Sequence, residues 1–253
     1  MITERIQKIL ARAGFGSRRE CEKFISDGRV KVNSERASLG SKADAIKDRI
    51  EVDGVLIKIR SEPLVYIAIY KPRFVLSHVD MNPNKRSSTY QRRKTILDFI
   101  DLPTRLFPVG RLDLESEGLM LLTNDGELAN RITHPRYGHE KEYRVLLARH
   151  PDDKQLGALR RGVVLEDGYR TLPAKVWMAE DAGRGAWSHF ILTEGRKRQI
   201  REMCGQLALP VVRLVRIRIG SLLLGRLKPG EWRFLSPQEV ATLYGKNNQK
   251  KVV

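Results

Sequence analysis

The sequence is poor in the residues that build disulfide frameworks, metal centres and membrane spans. Two cysteines occur among 253 residues, Cys21 and Cys204, and together with five histidines they show no metal-ligand spacing. No apolar run approaches the roughly 18 residues that a membrane span needs, and Glu4 and Arg5 interrupt the stretch where a signal peptide would be apolar. We therefore expect no metal, no membrane partner and a reduced, cytoplasmic environment.

Positive charge is what the sequence has in excess. Lys and Arg number 47 against 30 Asp and Glu, which gives a formal net charge of +17. The cations concentrate in three zones, residues 1–60, 71–94 and 191–220. Such an excess predicts a polyanionic partner, but charge alone fits DNA, RNA or an anionic surface equally well. No helix-turn-helix or zinc-finger pattern supports the DNA alternative.

The first 60 residues predict a small domain of two helices and short strands. Apolar residues at helical spacing favour a helix over residues 2–13. Ser17 and Glu20 have the spacing of a capping box, which predicts a second helix to about Asp27, and Gly28 follows as its C-terminal stop. Alternating residues at 29–33 and 50–54 predict strands. Residues 61–64 are the expected linker.

This segment resembles the RNA-binding module first described in ribosomal protein S4. The resemblance rests on Arg12, Gly14, the Ser17-Arg18-Arg19 triplet and the Gly28–Asn33 run. It implies that one basic face binds RNA, and the N-terminus of the second helix favours phosphate in addition. The RNA-binding residues expected on this face are Arg12, Ser17, Arg18, Arg19 and Lys31.

Residues 65–243 predict a larger α+β domain, followed by a basic tail at 244–253. A β-prone run at 65–70 opens the domain, a polar, basic loop is expected at 77–94, and a helix at 96–100. Further strands are expected at 143–148, 189–193 and 212–219, with turns at 124–126 and 166–168.

The most specific stretch is Gly110–Gly126, with Asp113 as the acid beside Arg111. On spacing alone, Asp113 is a capping acid in a surface turn. The pattern Gly-Arg-Leu-Asp-x-x-x-x-Gly-Leu-x-Leu-Leu-Thr-Asn-Asp-Gly, however, resembles the catalytic motif of pseudouridine synthases that act on ribosomal RNA. In that family the Asp is the nucleophile, so the resemblance implies this role for Asp113.

The other motifs of the family follow in order along the chain. They are Ile132–Pro135, Lys141–Tyr143, Leu192–Met203 and Val212–Gly220. The resemblance implies that Tyr143 lies under the target base, that Arg201 pairs with Asp113 and that Leu214 lines the base pocket. It implies RNA contacts for Arg111, Arg196, Arg198 and Arg216.

The resemblance also implies a fold and an activity. The fold is a mixed, mainly antiparallel sheet flanked by helices, behind the S4-like domain. The activity is isomerisation of one rRNA uridine after base flipping, by a monomer that needs no cofactor. The third motif is closer to the large-subunit enzymes, so 23S rRNA is the expected substrate. The alternatives are 16S rRNA, or a non-catalytic RNA-binding role in ribosome assembly.

One position departs from the family pattern. The family has Lys-Pro-x-Gly after the first catalytic-domain strand, whereas this chain has Lys71-Pro72-Arg73-Phe74. We expect the change to affect RNA contact and site choice more than the chemistry.

Overall fold

The computed structural model describes residues 3–57, 62–77 and 94–245. The chain divides into two compact units, Met1–Pro63 and Leu64–Val253. The division falls inside the predicted linker at 61–64. The expected loop at 77–94 and the tail at 244–253 lie almost entirely outside the described residues.

The described residues of the N-terminal unit form two helices and six short strands. Its elements are β1 (Thr3–Arg5), α1 (Ile6–Arg12), α2 (Arg18–Ser26), β2 (Val30–Val32), β3 (Glu35–Arg36), β4 (Lys42–Asp44), β5 (Ile50–Val52) and β6 (Val55–Leu56). Strands β3, β2, β5 and β6 form one antiparallel sheet in that order, and β1 pairs with β4. Apolar side chains of both helices and of β2, β4 and β5 form its core.

The capping prediction for α2 is confirmed. The Ser17 hydroxyl accepts from the Glu20 amide, and the Glu20 carboxylate accepts from the Ser17 amide. Gly28 follows the helix in left-handed conformation, with φ of +71°. The predicted start of the first helix is wrong, because residues 3–5 pair with β4 instead of continuing the helical pattern.

The C-terminal unit is built on one large sheet. Its strands are β7 (Tyr66–Lys71), β8 (Phe107–Val109), β9 (Glu117–Thr123), β10 (Lys141–Leu147), β11 (Lys175–Ala182), β12 (Gly185–Leu192), β13 (Val211–Ile219), β14 (Leu222–Leu223) and β15 (Trp232–Phe234). The order is β11-β12-β10-β13-β9-β7-β15, with β14 beside β13 and β8 beside β9. Within the described residues, the pair of β9 and β13 is parallel and the other pairs are antiparallel. The predicted mixed, mainly antiparallel sheet is therefore confirmed.

Helices cover both faces of this sheet. They are α3 (Gly126–Thr133), α4 (Asp153–Arg161), α5 (Gln199–Gln206) and α6 (Pro237–Tyr244), with 3-10 turns at Ile96–Phe99 and Pro135–Tyr137. Helices α4 and α5 pack into one apolar cluster, and α3 and α6 pack into a second. The turn predicted at 124–126 is instead the start of α3, where the Asp125 carboxylate accepts from the amides of Glu127 and Leu128. No helix of the described part of the chain is long and apolar enough to cross a membrane.

Candidate active site

Asp113 lies in the loop that joins β8 to β9, and the segment after β7 holds this loop on both sides of it. The Ser77 hydroxyl donates to the Leu112 carbonyl at 2.6 Å and accepts from the Leu112 amide at 3.0 Å. The Phe74 amide donates to the Leu114 carbonyl at 2.7 Å. Because both neighbours of Asp113 are anchored, its half-buried carboxylate has a defined position.

The buried side chain of Lys71 also holds this loop by hydrogen bonds. Its side chain is 0% exposed, and its ammonium donates to the carbonyl oxygens of Pro72 at 2.9 Å and Ser116 at 2.7 Å. Burial lowers the pKa of Lys71 to about 8, and attraction to Glu117 and Asp113 opposes part of that shift. Lys71 was not among the predicted site residues. The one sequence feature that could have indicated a role for Lys71 is its position as a single charged residue directly after the apolar run 65–70.

The predicted base-pocket residues lie together. Tyr143 on β10 and Leu214 on β13 belong to one buried cluster, which also contains Leu112, next to Asp113, and Ile200 of α5. β10 and β13 are neighbouring strands. Residues that the motifs separate by up to 102 positions thus contribute to one buried cluster.

Arg201 differs from the prediction. Within the described residues, Asp113 has no ion pair, and the carboxylate nearest to the Arg201 guanidinium is that of Glu115, at 3.9 Å. The guanidinium also donates to the Val211 carbonyl at 3.2 Å and to the Glu115 carbonyl at 3.4 Å. The predicted pairing with Asp113 is thus not formed, because Glu115 lies closer, although attraction to Asp113 still favours the charged form of Arg201.

Arg198 also lies near Glu115. Its guanidinium is 3.6 Å from the Glu115 carboxylate, and its side chain is exposed. Its backbone is left-handed, with φ of +54°, at the residue that precedes α5. A non-glycine residue in this region costs about 1–3 kcal/mol and is typical of functional sites. Arg198 is therefore available to an incoming phosphate, while Glu115 competes for it.

The remaining predicted RNA contacts of this unit separate into three kinds. Arg111 is exposed. Arg196 pairs with Asp167 at 2.7 Å and stacks over the Tyr169 ring at 3.8 Å. Arg216 is only 4% exposed, and its Nε donates to the Leu119 carbonyl at 2.7 Å. A surface RNA contact by Arg216 is therefore wrong, because the side chain is buried between β13 and β9.

In the N-terminal unit, Arg18, Arg19 and Lys31 are exposed, as the basic face requires. Arg12 is exposed too, but its guanidinium pairs with Glu4 at 2.5 Å, which neutralises part of its charge. The Ser17 side chain serves as the helix cap. Two of the exposed cations, Arg18 and Arg19, lie in the first turn of α2.

No set of three or more His, Cys, Asp or Glu side chains in the described ranges could hold a metal ion. Both cysteines are buried and free, and burial raises the pKa of Cys204 to about 12. The thiol of Cys204 is therefore protonated and unreactive at neutral pH.

Comparisons with known proteins identify the family of this chain. The family model of RNA pseudouridylate synthases matches residues 65–206, and that of the S4 domain matches residues 4–50. An uncharacterized RNA pseudouridine synthase of Aquifex aeolicus is 43% identical over 96% of this chain and 95% of its own length. The ribosomal large subunit pseudouridine synthase B of Bacillus subtilis is 40% identical over 96% of this chain and 99% of its own length.

A solved structure supports the same assignment. A crystal structure of a pseudouridylate synthase superposes with a TM-score of 0.67 at 31% identity, over 94% of this chain and 99% of that one. The chain therefore belongs to the RNA pseudouridylate synthase family and carries an S4 domain at its N-terminus.

Proposed function

We propose that this protein converts one uridine of large-subunit ribosomal RNA to pseudouridine, with Asp113 as the nucleophile. The observation that supports the proposal is the anchored Asp113 loop, which hydrogen bonds from Ser77 and Phe74 hold and whose Leu112 belongs to the same buried cluster as Tyr143 and Leu214. The choice of 23S rRNA rests on the Bacillus subtilis relative, whose name refers to the large ribosomal subunit.

The reaction breaks the bond between ribose C1′ and uracil N1 and forms a bond between C1′ and C5. The proton on C5 is lost to solvent and N1 gains a proton, so the change is an isomerisation without a redox step. Asp113 acts as the ionised nucleophile. Attack on the ribose and attack on the base are both open to it. No cofactor is required for either.

The target uridine leaves its stack before the reaction, at a cost of a few kcal/mol. Tyr143 supports the flipped ring, Leu214 lines its pocket and Arg201 orients Asp113 once RNA draws it from Glu115. The exposed cations Arg18 and Arg19 bind the phosphate backbone of the RNA. We further propose that the protein acts in the cytoplasm as a monomer, without a membrane partner.

Two other functions are weaker candidates. A small-subunit enzyme would modify 16S rRNA with the same residues. A non-catalytic RNA-binding protein would need no intact site, and the retention of Asp113, Tyr143 and Arg201 argues against it.

The test uses transcripts of 23S and 16S rRNA that carry tritium at uracil C5. Wild-type protein should release tritium from the 23S transcript without added cofactor, and Asp113→Asn should release none while binding RNA as tightly. Asp101→Asn, which alters an exposed acid outside the site, is the matched control. Release from 16S alone would support the small-subunit alternative. No release by wild-type protein from either transcript would contradict an enzymatic function.

A further inference from the structure

Phe74 has a backbone conformation that its side chain disfavours. Its φ is +62°, in the left-handed region. A residue with a Cβ atom loses about 1–2 kcal/mol there, a cost that glycine avoids. The phenylalanine of this chain is therefore held against its own backbone preference. Strain of this kind needs a compensating role.

The position of Phe74 links it to the reaction. Its amide donates to the Leu114 carbonyl at 2.7 Å, one residue beyond Asp113. Its side chain is 63% exposed, and it belongs to neither apolar cluster of the described C-terminal unit. A large apolar ring therefore lies exposed beside the Asp113 loop, and packing against the apolar clusters of the described residues does not account for it.

Arg73 orients this ring. Its guanidinium carbon is 5.1 Å from the centre of the Phe74 ring, which is within the range of a cation–π contact. Burial lowers the pKa of Arg201, and the charges of Arg198 and Arg73 add to this effect. Arg73 therefore lies within electrostatic range of Arg201. The ring and the guanidinium together resemble the stacking platforms that bind unpaired nucleotides.

We propose that Phe74 stacks on an RNA base next to the target uridine and stabilises the RNA with that uridine flipped out. Flipping leaves the neighbouring bases without a stacking partner, and an aromatic ring beside Asp113 replaces it. The role rests on the proposed function, because it requires an RNA substrate whose uridine reaches Asp113.

The first test measures stability and activity together, because the stacking role predicts that one variant raises the first and lowers the second. Phe74→Gly should raise the free energy of unfolding, since glycine relieves the left-handed strain, yet lower kcat/KM for tritium release about tenfold, since one stacking contact is lost. Phe74→Tyr, which keeps the ring, should retain activity. Phe234→Ala is the matched control, because Phe234 is also exposed, at 55%, but lies on β15. Its activity should stay within about twofold of wild type, since it removes no stacked base.

Phe74→Gly with wild-type activity would overturn the proposal while leaving the proposed function intact. Inactive wild-type protein would instead contradict the proposed function. A second measurement decides the case in which Phe74→Gly does not fold. In an Asp113→Asn background, Phe74→Trp should add emission that the rRNA transcript quenches, whereas Phe234→Trp should add emission that it leaves unchanged. Absence of quenching at position 74 would overturn the stacking role.

Discussion

Gly118 and Arg216 face each other across the parallel pair of β9 and β13, closer than any side chain at position 118 would allow. A Cβ atom on Gly118 would lie 2.3 Å from the Arg216 carbonyl oxygen, and its φ is +104°. Strand β9 follows the Asp113 loop, and β13 carries Leu214. This close approach therefore fixes the spacing between the strand that follows the Asp113 loop and the strand that carries Leu214.

Gly118→Ala should separate these strands. A Cβ at 2.3 Å from backbone atoms cannot be relieved by rotation of a side chain, and we expect a loss of about 2–4 kcal/mol in the free energy of unfolding from the clash and the positive φ. Urea denaturation measures the stability of the variant, and tritium release measures its activity. Gly205→Ala is the control, since it lies in α5 with open space around it. It should be neutral or gain up to about 1 kcal/mol. Equal stability of the two variants would contradict the close-approach argument.

The competition between Asp113 and Glu115 for Arg201 gives a second prediction. Arg201→Ala should lower kcat about 10²–10³-fold, the loss typical when a group that stabilises charge in the transition state is removed. Glu115→Gln should change kcat by less than about threefold and tighten RNA binding, because it removes a negative charge 3.6 Å from Arg198. Tritium release under single-turnover conditions and RNA titration measure the two quantities. A loss of kcat in Glu115→Gln as large as that in Arg201→Ala would show that Arg201 acts through Glu115.

The parts of the fold that local chemistry controls could be predicted from the sequence. The start of α2 follows from the capping box of Ser17 and Glu20, and its end from Gly28. These elements depend on neighbours within a few residues, which the sequence displays directly.

Contacts between distant segments could not be predicted. The first strand replaces the start of a helix because it pairs with residues 42–44, which no local pattern indicates. Arg216 is buried because Gly118, 98 positions away, lets β9 approach its backbone. Glu115 lies near Arg201 only because the loop after β8 meets the start of α5. Each of these features is set by packing, and a motif match carries no information about it.

The buried ammonium of Lys71 predicts a pH dependence. Its pKa of about 8 in the folded protein lies below the ordinary value of 10.5. Between these values the folded protein binds fewer protons than the unfolded chain, so stability from this group rises with pH. Other titratable groups contribute equally to the stability of wild type and of Lys71→Met, so their contributions cancel in the difference between the two proteins. The stability of wild type relative to Lys71→Met should therefore increase by about 3 kcal/mol between pH 8 and pH 10.5.

Urea denaturation of both proteins across this range measures the difference. Activity should instead fall as the pH rises. Neutral Lys71 no longer attracts Asp113, and it has one hydrogen-bond donor fewer for the carbonyl groups of the loop. Tritium release by wild type should fall above pH 8, with no corresponding fall in Lys71→Met. A constant stability difference across the range would contradict a lowered pKa at Lys71.

The exposed arginines in the first turn of α2 are predicted to carry RNA affinity. Arg18→Glu combined with Arg19→Glu should weaken RNA binding strongly and flatten the dependence of log K on log salt by about 1–2, since two phosphate contacts are lost. The fold should persist, because acidic residues in the first turn of a helix interact favourably with its dipole. Arg12→Ala should weaken binding less than about threefold, since Arg12 is already paired with Glu4 at 2.5 Å. Fluorescence anisotropy measures the affinity of both variants for an rRNA fragment at several salt concentrations. All proteins carry Asp113→Asn in this measurement. Unchanged affinity in the double variant would contradict RNA binding by this face, and an equal loss in Arg12→Ala would show that its ion pair with Glu4 opens to RNA.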